Sequence, residues 1–286
     1  MSAPESGQPP VAFVTGATGG LGRALAHALD ARGWTVIVHG RDSGRVRGVT
    51  ASLPGSRGLV ADLTSLDDVL ALAREVGQGP GIDLLVNNAA VSGSTGGPGL
   101  TRDGVPTTYA VDYLAPALLT RLLLPRLLSR SGSVLDVVAA VQRPLDHTEL
   151  EHPIPDLEAY ARAKLSLVMD TRTLHARYRG AVRFLAVNPG SLLDTPMVHA
   201  LGRTPRAGAW AGCAALLAQV DRMRTTGASG EYIDVDRVAR PHPQAEDPAA
   251  RKRLAQDTDR VLAPWLASAS GAAHVDAPRD EERING

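Results

Sequence analysis

Tyr160 and Lys164 stand four residues apart in the run Tyr160-Ala161-Arg162-Ala163-Lys164. On a helix that spacing puts both side chains on one face. A phenol with a reference pKa of about 10 is a poor proton donor or acceptor at neutral pH, and a neighbouring ammonium favours its ionised form. Such a pair can pass a proton to or from an oxygen whose carbon is changing oxidation state. A half-buried tyrosine and an exposed lysine at helical spacing would read the same way in isolation. Lysine is scarce in this chain, however, since only Lys164 and Lys252 of its 30 basic residues are lysine. That scarcity favours a chemical role for Lys164.

A second constellation is Thr15-Gly16-Ala17-Thr18-Gly19-Gly20-Leu21-Gly22, between an apolar β-branched run and a helical pattern. A pyrophosphate needs backbone N–H groups at a helix N-terminus, and glycine lets it approach because no Cβ intervenes. Gly16, Thr18, Gly20, Leu21 and Gly22 are the expected contacts. At the end of the next apolar run the chain reads His39-Gly40-Arg41, with no acid until Asp42. A carboxylate there would accept from an adenosine ribose hydroxyl, whereas Arg41 offers a guanidinium fork to a 2′-phosphate. The cofactor this pattern predicts is NADP(H).

These residues can meet only if strands and helices alternate. Apolar runs at 11–15, 35–39, 57–61, 84–87, 133–138, 182–188 and 231–235 read as strands. Helical periodicity falls at 20–32, 65–76, 105–129, 157–179 and 207–222, with a terminal helix at 247–266. The expectation is an α/β fold, a single doubly wound Rossmann-type parallel sheet of about seven strands with helices on both faces. Residues 1–10 are expected to be a flexible N-terminus, 11–266 the domain, and 267–286 a flexible tail. Pro144, Pro153 and Pro155 make 142–156 a loop.

Thirty basic and thirty acidic residues give zero formal charge, so no field draws in nucleic acid or anionic lipid. The stretch 114–128 is broken by Pro116, Arg121, Pro125 and Arg126 and reads as a core helix, with no membrane span expected. A lone Cys213 cannot form an intrachain disulfide. With a polar N-terminus, the expectation is a cytoplasmic protein with a small-molecule partner, and self-association is left open. His147 and His152 beside Glu149 and Glu151 read as a solvated loop, and no metal is expected.

Taken together these motifs resemble the short-chain dehydrogenases/reductases. The glycine run is similar to that family's Thr-Gly-x-x-x-Gly-x-Gly element, Asp62-Leu63 to its adenine-side pair, and Asn87-Asn88-Ala89-Ala90 to its Asn-Asn-Ala-Gly turn. Tyr160 and Lys164 match its Tyr-x-x-x-Lys, and Asn188-Pro189-Gly190 its Pro-Gly turn, while Ser229-Gly230-Glu231-Tyr232 and the tail helix resemble the retinol-dehydrogenase-like branch. The resemblance implies Tyr160 and Lys164 as catalytic residues. It implies cofactor contacts from Asp62, Leu63, Asn88, Ala89, Tyr160, Lys164, Pro189, Gly190 and Thr195. Leu192, Leu193, Met197 and Trp210, on the substrate-side segment, are candidates to line an apolar pocket, with core packing an equal reading for each.

Two positions depart from the pattern. Ala139 stands where the family has the serine that hydrogen-bonds the substrate carbonyl, and Asp112 stands where it usually has an asparagine. Losing one preorganised donor typically costs about 10² to 10³ in rate. The enzyme must then be slow, recruit another donor, or use a substrate that supplies its own. A ketone flanked by a phenolic hydroxyl, as in aromatic polyketides, meets the last condition. The expected function is NADPH-dependent reduction of a bulky aromatic ketone; the alternatives are a non-catalytic NADP-binding regulator and non-redox chemistry on the same fold.

Overall fold

Val11-Ala12-Phe13-Val14 is buried at every position, as is Leu84-Leu85-Val86-Asn87. Strands buried on both faces belong to a parallel sheet covered by helices on each side. The computed structural model describes residues 8–92, 99–146 and 156–272, and among these it contains such a sheet. Its strands are β1 (Val11–Val14), β2 (Thr35–Gly40), β3 (Arg57–Val60), β4 (Leu84–Asn87), β5 (Ser133–Val137), β6 (Arg183–Asn188), β7 (Glu231–Asp234) and β8 (Arg237–Ala239). They lie in the order β3-β2-β1-β4-β5-β6-β7-β8, all parallel except β8. The order reverses between β1 and β4, which opens a crevice at their carboxyl ends.

Helices α1 (Gly20–Asp30), α2 (Ser43–Thr50), α3 (Leu66–Gly77), α4 (Ala115–Leu128), α5 (Asp156–Arg177), α6 (Pro196–Ala200), α7 (Ala209–Thr226) and α8 (Pro248–Ala272) complete the described chain. Alternation along β1 divides the core. Val11 and Phe13 enter the layer of Leu72, Val76, Leu118 and Leu127, whereas Ala12 and Val14 enter that of Leu25, Leu29, Leu216 and Val220.

Four features differ from the sequence expectation. The strand count rises to eight because three residues after a turn at Val235, which has φ of +61°, return as the edge strand β8. Helix α2 was not anticipated, since its arginines and glycines hide any apolar stripe; Asp42 caps it by accepting the Arg45 N–H at 2.7 Å. The helix expected over 105–129 divides into a short turn at Thr107–Tyr109, a π-helical turn at Ala110–Leu114, and α4. Pro116 explains the wide turn, because it has no N–H for the Asp112 carbonyl and its ring would press on that carbonyl in a regular helix. Finally, α8 runs on to Ala272, so 267–272, expected in a flexible tail, are helical. Trp265 pins α8 by donating to Asp67 Oδ1 at 2.8 Å, and the Tyr113 and Thr258 hydroxyls meet at 2.6 Å. Residues 1–7, His147, Glu149, Glu151, His152 and the end of the tail lie outside the described residues.

Beneath the site, buried Asp136 on β5 accepts from Asn87 Nδ2 at 2.8 Å and lies 2.6 Å from Thr171 Oγ1. That hydroxyl is also 2.8 Å from the Leu167 carbonyl. Thr171 Oγ1 donates to Asp136 Oδ2, with the Leu167 carbonyl as the alternative acceptor for the same proton. Burial pushes the Asp136 carboxyl up from 3.8 to about 6, against the bonds from Thr171 and Asn87, which favour its ionised form. The unfolded chain therefore releases the carboxyl proton first, and stability should fall by about 3 kcal/mol as pH rises from 4 towards 7. Asp136→Asn preserves both bonds and should lack that decline in urea unfolding at the two pH values. Parallel pH dependence in the two proteins would contradict a raised Asp136 carboxyl.

Candidate active site

The crevice is built around Thr15, immediately after β1. Its Oγ1 accepts the N–H groups of Asn88 and Ala89, both at 3.0 Å, and donates to the Val86 carbonyl at 3.2 Å. Asn88 Nδ2 returns a bond to the Thr15 carbonyl at 2.8 Å. The glycine-rich loop is thereby drawn against the segment that follows β4. Gly16, at φ of +65°, would put a Cβ 2.9 Å from Ala89 Cα, and a Cβ on Gly22 would lie 2.4 Å from the Gly16 carbonyl oxygen. Only glycine fits at either position.

Gly19 caps α1 without any side-chain hydrogen bond, so the first-turn N–H groups face the crevice with no protein side chain bonded to them. Thr195, which caps α6, brings its Cγ2 to 3.1 Å from where a Gly20 Cβ would stand. Thr18 packs against Gly40, and Leu21 is buried beneath the loop. An uncapped, glycine-lined helix start suits a diphosphate, so these residues fit a dinucleotide.

His39, on β2, is a feature the sequence reading left without a role. Its Nδ1 accepts the Gly16 N–H at 3.2 Å, which requires the ring proton on Nε2, 3.2 Å from the Ala61 carbonyl. The neutral imidazole thus ties the glycine loop to β3, and burial lowers its pKa from 6.5 to about 4. A lone histidine in the apolar run Thr35-Val36-Ile37-Val38 was the available signal. Next in the chain, Arg41 is exposed and makes no ion pair with a described residue. Asp62, also exposed, accepts the Thr64 N–H at 3.0 Å, and Leu63 is buried.

On the other side, Lys164 Nζ donates to the Val137 carbonyl at 3.2 Å and lies 3.1 Å from Asp112 Oδ2, in a pair almost wholly buried. Asp112 Oδ1 accepts the Val91 N–H at 2.8 Å, so this pair and the Thr15 cluster share one segment, 88–91. Lys164 Nζ is 5.5 Å from the centre of the Tyr160 ring. Burial pushes the Tyr160 phenol well above its ordinary value, and the Asp112 carboxylate adds to the rise.

Ala139 is buried, and Gln142 Nε2 donates to its carbonyl at 3.2 Å. Gln142 also accepts the His242 N–H at 2.8 Å and bonds the Tyr232 side chain, which commits its amide. After β6 come Pro189 and Gly190, the latter at φ of +116°. Leu192 and Met197 are part-exposed, and Trp210 is 63% exposed. Leu193 is buried and packs against Gly212.

The family described as short chain dehydrogenase matches residues 10–206, and the chain belongs to it. By that membership it is an oxidoreductase. Retinol dehydrogenase 13 of Mus musculus is 30% identical over 92% of this chain and 87% of its own. "Putative daunorubicin C-13 ketoreductase DnrU" of Streptomyces sp. (strain C5) is 33% identical over 63% of this chain and 65% of its own. A short-chain dehydrogenase of Shigella flexneri solved with NADP superimposes with a TM-score of 0.64 at 22% identity, covering 80% of this chain and 98% of that one.

His39→Leu should strand the Gly16 N–H and the Ala61 carbonyl, at a cost of about 1 to 3 kcal/mol at pH 7. The gap between the proteins should narrow as pH falls from 6.5 towards 4, because the depressed histidine loses its contribution in that window. Thermal melts across the range test this; a gap that widens on acidification would refute the neutral anchor.

Proposed function

We propose that this protein uses NADPH to reduce a ketone on a bulky, largely apolar aromatic compound of polyketide type. The observation that carries the reading is the Tyr160–Lys164 pair joined through Asp112 and Val91 to the segment that braces the glycine-rich cradle. When bound, the reduced nicotinamide supplies the hydride. Tyr160 then faces the carbonyl oxygen as the nearest protein hydrogen-bond donor, and Lys164 orients the cofactor through its ribose. Asn88, Ala89, Pro189, Gly190 and Thr195 complete the cofactor walls.

NADPH is preferred over NADH because Asp42, the first acid after β2, is engaged in capping α2, while Arg41 has no carboxylate partner among the described residues. The apolar substrate is suggested by Val141, Leu157, Leu201 and Trp210, all exposed and all in segments that follow the carboxyl ends of β5 and β6. Leu192 and Met197 belong to the same wall. Two relatives carry the names of enzymes acting on retinol and on daunorubicin. Ala139 offers no hydroxyl and Gln142 is committed, so a phenolic hydroxyl on the substrate itself delivers its proton to the carbonyl oxygen as hydride reaches the carbon, and is left as a phenolate that water reprotonates. The same vacancy favours a second reading, a cofactor-binding regulator without turnover. The protein acts in the cytoplasm, through a domain spanning residues 11–272.

Arg41→Ala should weaken NADPH binding about ten- to a hundred-fold and leave NADH little changed, as expected for losing one charge-assisted contact. Calorimetry with both cofactors decides it, and equal wild-type affinity for the two would refute the preference.

Activity is best tested on aromatic ketones carrying a neighbouring hydroxyl, free or methylated. Wild type should reduce the free form and be nearly inactive on the methylated one. On the free form, Tyr160→Phe should lose much less than the 10² to 10⁴ usual for a general acid. Fast reduction of the methylated compound would remove substrate-assisted transfer, and cofactor binding without oxidation across the series would favour the regulator.

A further inference from the structure

The π-helical turn presents Asp112 to the ammonium of Lys164 in a place where neither reaches water: the side chains are 0% and 3% exposed. The carboxylate is held from its other side by the Val91 N–H, so it cannot swing away. A lysine 5.5 Å from a phenol ring would ordinarily favour the phenolate, but an opposite charge 3.1 Å from that ammonium offsets the field it exerts. We propose that Asp112 is a positioning residue that cancels the charge of Lys164 and so keeps Tyr160 a neutral phenol throughout the neutral pH range.

The proposal rests on reading Tyr160 as the group that meets the substrate oxygen. It assigns Tyr160 the work of a hydrogen-bond donor, the work left undone at Ala139, and denies it the work of a base. Reduction is then favoured over alcohol oxidation, because oxidation requires a base to take the hydroxyl proton as hydride leaves the carbon for the oxidised nicotinamide. Burial and the Asp112 charge both raise the phenol; burial also raises the Asp112 carboxyl, a rise that the Lys164 ammonium and the Val91 N–H oppose.

Other ionisable groups on the packed elements have partners of their own, Arg162 with Asp146 and Glu158, each at 2.7 Å, among them. Asp136 on β5 is bonded to Asn87 and Thr171, and Tyr109 meets the Ser166 hydroxyl at 3.0 Å. Between α4 and α5, Arg121 and Asp170 close on each other with two bonds at 2.9 and 2.8 Å. None supplies a positive charge to replace that of Lys164.

Tyrosinate ultraviolet absorbance, titrated in the protein without substrate and corrected by Tyr160→Phe, reads the phenol directly. Because it needs no turnover, it stands even if no ketone is found to react, and the substrate tests above stand if it fails. In wild type, Tyr160 should ionise above the ordinary value of about 10. Asp112→Asn keeps an oxygen for Val91 and leaves the ammonium unopposed, and should make Tyr160 at least about tenfold more acidic, one pH unit. The neutral pair Asp112→Asn/Lys164→Met should titrate within about half a unit of wild type, since cancelled and absent charges act alike. That double variant decides the matter if Asp112→Asn alone does not fold. A phenolate in wild type below about pH 9 would overturn the proposal, as would a folded Asp112→Asn with unchanged titration or a double variant displaced by more than about one unit.

Discussion

Thr15 sits where the sheet changes direction, and its single hydroxyl sets the width of the crevice. By accepting two consecutive N–H groups from the segment after β4, it draws that segment against the glycine-rich loop. The contact is so close that Gly16 and Gly22 have no room for a Cβ. His39 fixes the same loop from the β3 side through the Gly16 N–H. The helix α1 therefore starts in a fixed place with its N–H groups free of side-chain caps, and the diphosphate cradle follows from that placement.

The segment 88–91 also links the two halves of the site. At Ala89 it bonds Thr15, and two residues later Val91 bonds Asp112, which holds Lys164. A cofactor seated against the cradle and a substrate seated against Tyr160 would thus be registered by one short stretch of backbone. The π-helical turn belongs to this arrangement. It widens the helix at Asp112, and Tyr113, in the same turn, is tied to α8 through Thr258.

Below the site runs a buried polar layer: Asn87 with Thr120 and Asp136, Asp136 with Thr171, and Arg121 with Asp170. Buried charges are costly unless paired and bonded. Here the carboxyls are partnered in three ways, Asp136 by bonds from Asn87 and Thr171, Asp170 by a two-bond guanidinium and Asp112 by an ammonium. The layer fixes how α4 and α5 sit on β4 and β5, which is the geometry that delivers Tyr160 and Lys164.

The α/β class and the parallel strands were legible because β-branched runs and helical periodicity are local properties of the chain. So were the glycine cradle and the Tyr160–Lys164 pair, whose spacings are themselves the signal. The vacancy at Ala139 was also visible, since it is an identity at a position. What the chain could not disclose depends on partners remote in sequence. His39 becomes an anchor only when Gly16 and Ala61 arrive on either side, and Gln142 is occupied only because His242 and Tyr232 fold over it. Leu193 finds its neighbour Gly212 only when α7 packs against the loop after β6. Asp112 gains its meaning only when Lys164, distant in the chain, is buried beside it. Hydrogen bonds and ion pairs act over a few ångströms, and only the tertiary fold decides which groups come that close.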